Sequence, residues 1–127
     1  MLNPMHQKHA CRVSLRDKNF FLINRLHQER LLFLLRKLDH ELALNLQGLL
    51  VALSREDETW NMFMFIHCKG GWASDGLGLG EMMRWVTPCV ATAALGEVYS
   101  TATMVLCGGT PGDRVAYPHV LGRANAF

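Results

Sequence analysis

The chain has 127 residues, of which half are hydrophobic and 19% are charged, and its formal net charge is +2. This length and composition indicate one globular domain with a buried core and exclude a disordered chain. So small a charge gives no basis for nucleic-acid binding, which needs a concentrated basic surface. No run of about 18 apolar residues suggests a membrane-spanning helix.

Leucine dominates the first half of the chain. Residues 1–19 are polar and predict an irregular arm, whereas leucines at three- and four-residue steps over residues 21–53 predict a helical region. A break is expected at "LLFLLRK" (31–37), because its apolar run fits a short strand equally well. From Asp39 the pattern predicts a helix with one apolar face that ends at Ser54.

The second half alternates short apolar runs with helical patterns. "MFMFI" (62–66) predicts a strand that ends in the turn "HCKGG", and "DGLGLGEMMRWV" predicts a helix that begins at Ser74 or Asp75 and is stopped by Pro88. "VATAAL" (90–95) predicts a second strand, "STATMVLCGG" a helix of small residues, and "RVAYP" a third strand. This order predicts an α/β fold whose parallel strands are covered on both faces.

Functional groups in parallel sheets gather at the carboxyl ends of the strands. Two such ends are marked by Gly70 and Gly71 and by Ser100, which would open a helix. A serine at this place can act as a nucleophile if a base lies beside it, and glycine amides can form an oxyanion hole. The simpler interpretation makes Ser100 a helix N-cap and the glycines a tight turn.

The cysteines and histidines give only weak evidence for a metal site. Cysteines 11, 68, 89 and 107 match no zinc-binding spacing, and we interpret them as free thiols in a reducing compartment. His67 and Cys68 are adjacent, but no second pair of ligands accompanies them. We therefore predict no metal site.

The order of several segments carries a resemblance to a known family. "NRLHQERLLFL", "DHELALNLQGLLVALSREDET", "MFMFIHCKGGW", "ALGEVYSTA" and "RVAYPH" follow one another without a gap. Together they resemble the proteolytic subunit of the Clp protease (ClpP), in particular its plastid-encoded form. The resemblance covers residues 22–119 and leaves 1–21 as a divergent arm and 120–127 as a divergent tail. It implies a crotonase-like (ClpP-type) fold of repeated β-α units with a parallel sheet, in which residues 31–34 form a strand rather than a helix.

The resemblance also assigns roles to residues. It implies that Ser100 is the nucleophile, that Gly71 and the amide of Thr101 form the oxyanion hole, and that Lys69, Gly70 and Trp72 lie on the edge segment that pairs with extended substrate. The implied activity is that of a serine endopeptidase cleaving unfolded proteins inside two stacked heptameric rings in the chloroplast stroma. An ATP-driven unfoldase of the Hsp100 class would feed the chamber, so the subunit itself would need no cofactor.

The chain departs from the family pattern around the site. Before the glycine pair, the family has asparagine-serine-proline where this chain has "HCK". Before the nucleophile, the family has two alanines where this chain has Val98-Tyr99. After the nucleophile, the family has methionine-glycine where this chain has Thr101-Ala102. By simple counting, Asn125 occupies the place of the catalytic histidine. The aspartate and the long handle helix belong beyond Phe127, so the handle region is missing from this chain.

The missing histidine matters, because a serine is a poor nucleophile without a base to take its proton. His67 and His119 lie near predicted strand ends, and we predict that neither replaces it. Three other interpretations stay open. One is a non-catalytic ring subunit like the ClpR members, and another is an incomplete fragment that does not fold alone. The third, ranked last because nothing suggests a coenzyme A site, is a crotonase-like enzyme acting on acyl thioesters.

Overall fold

Strand β3 is the centre of a five-stranded parallel sheet, with one helix between each pair of successive strands from β1 to β4. The computed structural model describes residues 15–123, with side chains from residue 22 to residue 122. The elements in chain order are α1 (Leu15–Gln28), β1 (Leu31–Leu34), α2 (His40–Glu56), β2 (Met62–Cys68), α3 (Ala73–Trp85), β3 (Val90–Tyr99), α4 (Thr101–Cys107), β4 (Arg114–Ala116) and β5 (Leu121–Arg123).

The register of the sheet brings several strand ends to one edge. Strand β2 lies between β1 and β3, with Ile66 opposite both Leu34 and Ala94. Strands β4 and β5 follow each other along the other side of β3, and Val98 is opposite Gly122. Because all pairings are parallel, β1, β2, β3 and β5 run toward the edge at which Ser100 follows β3. This edge is where a parallel sheet presents its functional groups.

The core lies on one face of the sheet. Burial alternates along β2, so that Met64 and Ile66 are fully buried whereas Phe63 is 47% exposed. Helices α2, α3 and α4 supply the other half of the core, including Leu50, Leu79 and Val105. Within residues 15–123, the prediction that the strands are covered on both faces is therefore wrong at Phe63. The helices α2, α3 and α4 lie on the opposite side, because right-handed crossovers place successive helices on the same side of the sheet.

The predicted elements correspond closely to the observed ones. Strand β1 is confirmed at residues 31–34, and α2 begins one residue after Asp39 and ends two after Ser54. The irregular arm is wrong for residues 15–19, because α1 begins at Leu15, and residues 1–14 lie outside the described part. Strand β5 was not predicted. The division into arm, core and tail stays a prediction.

Among the helices of residues 15–123, none combines the length and the apolar character that a membrane crossing requires.

Arg30 ties three elements together and is itself almost completely buried. Its guanidinium donates hydrogen bonds to the backbone oxygens of Leu53 (2.6 Å) and Asp57 (2.6 Å), at the end of α2, and of Trp60 (2.7 Å). Its own backbone oxygen accepts from Phe63 N, in β2. Helix ends leave carbonyls without partners, and here one arginine satisfies several of them. The φ angle of 65° at Arg30 turns the chain from α1 into β1.

Asp39 caps α2 and makes its stability depend on pH. Its carboxylate accepts from Leu42 N (2.7 Å) and from the Arg36 guanidinium (2.8 Å). The hydrogen bond from Leu42, followed by the contact with Arg36, lowers the pKa of Asp39 below its usual value. The folded protein thus binds this proton less readily than the unfolded chain does. Its stabilisation is complete above about pH 4 and is lost as the pH falls through the folded-state pKa.

We expect Asp39→Asn to flatten the acid side of the stability profile, because the amide oxygen can still cap the helix but does not titrate. The measurement is the free energy of unfolding in urea between about pH 2 and pH 6. The unfolding free energy of Asp39→Asn should still fall somewhat toward low pH, because the hydrogen bonds from Thr59 lower the pKa of Asp57 as well. A profile of Asp39→Asn as steep as that of the wild type would contradict this assignment.

Candidate functional site

Ser100 occupies a strained turn between β3 and α4. Its φ and ψ angles are 54° and −120°, which is an unfavourable combination for a residue other than glycine. Strain of this kind persists only where the surrounding structure imposes it, and it is frequent in active sites. A serine on a sharp strand-to-helix turn is also the arrangement of a nucleophile elbow, which holds the hydroxyl at the carboxyl edge of the sheet.

The hydroxyl of Ser100 does not cap the helix. Its side chain makes no capping hydrogen bond, although the residue stands at the N-cap position of α4. The carbonyl oxygen of Ser100 accepts instead from the backbone N–H (2.9 Å) and the hydroxyl of Thr103. The simpler interpretation is therefore right about the N-cap position of Ser100 but not about its side chain, because the hydroxyl is not used to stabilise the helix.

The glycine pair after β2 lies directly beside this serine. A Cβ atom placed on Gly70 would be 3.4 Å from Ser100 Cβ and 3.9 Å from Ser100 Oγ. Gly70 has a φ of 124°, which favours glycine, whereas Gly71 forms a parallel bridge with Leu38 after β1. A side chain on Gly71 would overlap the Leu38 carbonyl oxygen. Both glycines are thus required, one by its backbone conformation and the other by a close approach.

Hydrogen bonds fix the direction of both peptide groups of Gly71. The Gly70 oxygen accepts from Leu38 N (2.9 Å) and from Cys68 Sγ (3.2 Å), and the Gly71 oxygen accepts from Thr101 Oγ1 (2.9 Å). In a planar trans peptide the N–H points away from the C=O of the same unit. The Gly71 N–H therefore points away from Leu38 and Cys68, in a direction that the surrounding residues determine.

Thr101 joins this glycine turn to α3 and α4. It is 1% exposed, and a Cβ atom on Gly76 of α3 would overlap its methyl group. The structure therefore brings together four of the residues predicted to form the site, namely Ser100, Thr101, Gly70 and Gly71. The oxyanion-hole role itself stays a prediction.

Lys69 and Trp72 flank the glycine turn on its outer side. Lys69 Nζ is 3.7 Å from Glu97 Oε2, and this side-chain pair links the ends of β2 and β3. Trp72 immediately precedes α3 and is 71% exposed. Their positions are compatible with an edge that binds extended substrate, and the substrate contact stays a prediction.

The histidines near the strand ends do not reach Ser100. The His67 ring lies against Gly96, where an added Cβ atom would be 2.7 Å from Nδ1. Gly96 has a φ of 56° within an irregularity where β3 carries extra residues relative to β2. Among residues 22–122, no histidine nitrogen is within hydrogen-bond distance of Ser100 Oγ. Asn125, predicted to stand in the place of the catalytic histidine, lies outside the described residues.

Sequence reasoning missed two features that support the site. Gly76 and Gly80 are buried on one face of α3, next to Thr101 and Gly108 respectively, and allow α3 to approach α4 closely. Their spacing of four residues was the available signal, because it places both on one face of a helix. The second feature is a pair between His40 Nδ1 and Asp75 Oδ1 (3.0 Å), which joins the starts of α2 and α3.

The described cysteines are free thiols, as predicted: Cys68 is buried, and Cys89 and Cys107 are exposed. Cys11 lies outside the described residues. Within the part of the chain that the structure describes, no three or more His, Cys, Asp or Glu side chains group closely enough to hold a metal ion.

Comparison with known proteins identifies the family. The family model described as Clp protease matches residues 15–121. Proteins named ATP-dependent Clp protease proteolytic subunit are similar: the one from Acorus calamus is 46% identical over 98 residues, and the one from Pinus thunbergii is 45% identical over 98 residues. These alignments cover 77% of this chain but only 48% and 50% of the two relatives, so the chain spans about half their length.

The alternation of helices with a parallel sheet agrees with the α/β fold expected of a Clp protease domain, and the family match includes every strand described above except the last two residues of β5. The chain belongs to the Clp protease family.

Proposed function

We propose that this chain is a serine endopeptidase subunit of an ATP-dependent Clp protease, with Ser100 as its nucleophile. The observation that carries the proposal is the strained turn at Ser100, whose hydroxyl makes no capping hydrogen bond and lies beside Gly70. A helix that needed only a cap would use that hydroxyl and would have no reason to adopt this backbone conformation.

The chemistry begins with attack of Ser100 Oγ on a peptide carbonyl. The negative charge that develops on the carbonyl oxygen would be stabilised by the N–H group of Thr101, which directly follows the nucleophile, and by that of Gly71, in the glycine turn beside it. Since no histidine among residues 22–122 reaches Ser100, the proposal requires a base from elsewhere in the protein or from a neighbouring subunit.

The partners follow from the same family membership. In this proposal the chain joins other Clp proteolytic subunits in heptameric rings in the plastid, and an AAA+ unfoldase supplies unfolded substrate and uses the ATP. The subunit itself carries no cofactor. The support is the plant origin of the similar proteins and their printed name, ATP-dependent Clp protease proteolytic subunit.

Labelling with a fluorophosphonate tests the nucleophile. We expect one adduct, located on Ser100 by peptide mass spectrometry, and its loss in Ser100→Ala, because removing the nucleophile of a serine protease costs on the order of 10⁶ in rate. Ser74→Ala, which removes an exposed serine from α3, is the matched control and should label normally. Labelling that persists in Ser100→Ala would contradict the proposal.

A non-catalytic ring subunit is the second candidate. The observation in its favour is that no imidazole reaches Ser100 Oγ among residues 22–122. The chain would then enter rings with complete subunits and leave the fluorophosphonate unreacted. Ring incorporation is measured by size-exclusion chromatography and mass spectrometry of the co-expressed subunits, and labelling is measured on the same rings.

A further inference from the structure

The side chain of Thr101 makes two contacts that lock it between the glycine turn and α3. Its hydroxyl donates to the Gly71 oxygen (2.9 Å), and its methyl group fills the space that a side chain on Gly76 would need. Thr101 is 1% exposed, so water has little access to the donor of this hydrogen bond. The rotamer of Thr101 is therefore determined from both sides.

The Thr101 hydroxyl adds a side-chain hydrogen bond to the second of the two peptide groups that flank Gly71. The peptide group between Gly70 and Gly71 is fixed by Leu38 N and Cys68 Sγ, and the one between Gly71 and Trp72 by Thr101. The Gly71 N–H lies in the first of these peptide groups, so its direction is given by the contacts of the Gly70 oxygen. The bond from Thr101 ties the second group, and with it the glycine turn, to the residue that directly follows Ser100.

We infer that the Thr101 hydroxyl is a positioning group, which holds the Gly71 carbonyl, and with it the glycine turn that carries the Gly71 N–H, at a fixed position relative to Ser100. This inference rests on the proposed function, in which that N–H stabilises the oxyanion. Thr101 is suited to the task because it directly follows Ser100, so a movement of the strained turn and a movement of the glycine turn are coupled through one side chain.

Two matched variants of the full chain separate the hydroxyl from the methyl group. Thr101→Val keeps the shape and removes the donor, whereas Thr101→Ser keeps the donor and removes the methyl group. We expect Thr101→Val alone to change the carbonyl ¹³C shift of Gly71 and to lower the backbone order parameters of Gly70 and Gly71 in NMR relaxation. If both quantities stay at their wild-type values in Thr101→Val, the inference is overturned.

A peptide boronate provides the functional readout, because it forms a tetrahedral adduct with a nucleophilic serine and places a charged oxygen in the oxyanion hole. We expect Thr101→Val to bind it roughly 10- to 100-fold more weakly, since small misplacements in a site cost up to about 10²-fold. The affinity for a non-covalent product peptide should be unchanged, and Thr101→Ser should keep wild-type boronate affinity. Equal boronate affinity in wild type and Thr101→Val also overturns the inference.

The two readouts separate this inference from the proposed function. A wild-type protein that binds no boronate contradicts the proposed nucleophile. The NMR comparison then decides alone: a Gly71 signal that changes in Thr101→Val and is restored in Thr101→Ser supports the positioning role of the hydroxyl.

Discussion

Replacing Arg30 with alanine should lower the free energy of unfolding by about 3–5 kcal/mol, because it removes a buried guanidinium and its hydrogen bonds to three backbone oxygens, of which Leu53 O keeps a second donor in Asp57 N. The guanidinium hydrogen bonds to Leu53, Asp57 and Trp60 lie at 2.6–2.7 Å, and the residue is 4% exposed. Alanine also keeps the unfavourable positive φ at this position, so the loss of hydrogen bonds is not offset by relief of strain.

Arg25→Ala is the matched control for this prediction. Arg25 pairs with Glu29 on the exposed surface of α1, at 3.4 Å, and a pair of this kind contributes about 0.5 kcal/mol or less. Guanidinium chloride titrations of the two variants measure the difference. Unfolding free energies that fall by the same amount in Arg30→Ala and Arg25→Ala would show that the three hydrogen bonds do not stabilise the fold.

A lysine at this position should recover only part of the loss. Its ammonium group carries the charge but is a single point donor, whereas the planar guanidinium reaches several oxygens at once. We expect the unfolding free energy of Arg30→Lys to lie between that of the wild type and that of Arg30→Ala.

The sequence was sufficient to predict the elements that local pattern determines. Apolar runs beginning at Met62 and Val90 gave the central strands, and Asp39 followed by regular leucines gave α2. The placement of Ser100 at the carboxyl edge followed from the order of strands and helices. These predictions succeed because periodicity and capping act over a few neighbouring residues.

The features that were missed depend on residues distant in sequence. Arg30 binds oxygens 23 to 30 residues away, and Thr101 contacts Gly71 from a distance of 30 residues. The strained backbone at Ser100 is likewise imposed by the surrounding structure, since nothing in local propensity favours it.

The open face of the sheet illustrates a different limit. Phe63 and Phe65 were interpreted as parts of a strand covered on both sides, and Phe65 does stack on Phe33 with ring centroids 5.6 Å apart. Phe63 is nevertheless 47% exposed. An apolar residue indicates that burial is favourable, but it does not say whether the same chain supplies the cover.

Gly71→Ala should have the largest effect on the site, because a Cβ atom there would overlap the backbone oxygen of Leu38. The peptide backbone cannot turn aside as the end of a flexible side chain can, so Leu38 and Gly71 must separate. The hydrogen bond from Leu38 N to Gly70 O is then lost, and the Gly71 N–H moves with it. We expect a destabilisation of about 2–4 kcal/mol, and labelling of Ser100 slower by about 10²-fold.

Gly48→Ala separates this steric effect from the general consequence of replacing glycine. Gly48 lies in α2 with open space around it, so alanine should stabilise the helix by about 0.5–1 kcal/mol and leave Ser100 labelling unchanged. Urea denaturation and the rate of fluorophosphonate labelling are measured on both variants. If Gly71→Ala unfolds and labels as the wild type does, the contact between Leu38 and Gly71 is not what holds the glycine turn beside Ser100. If Gly71→Ala loses stability but labels at the wild-type rate, the Gly71 N–H has no part in stabilising the oxyanion, and a different donor must be sought next to Ser100.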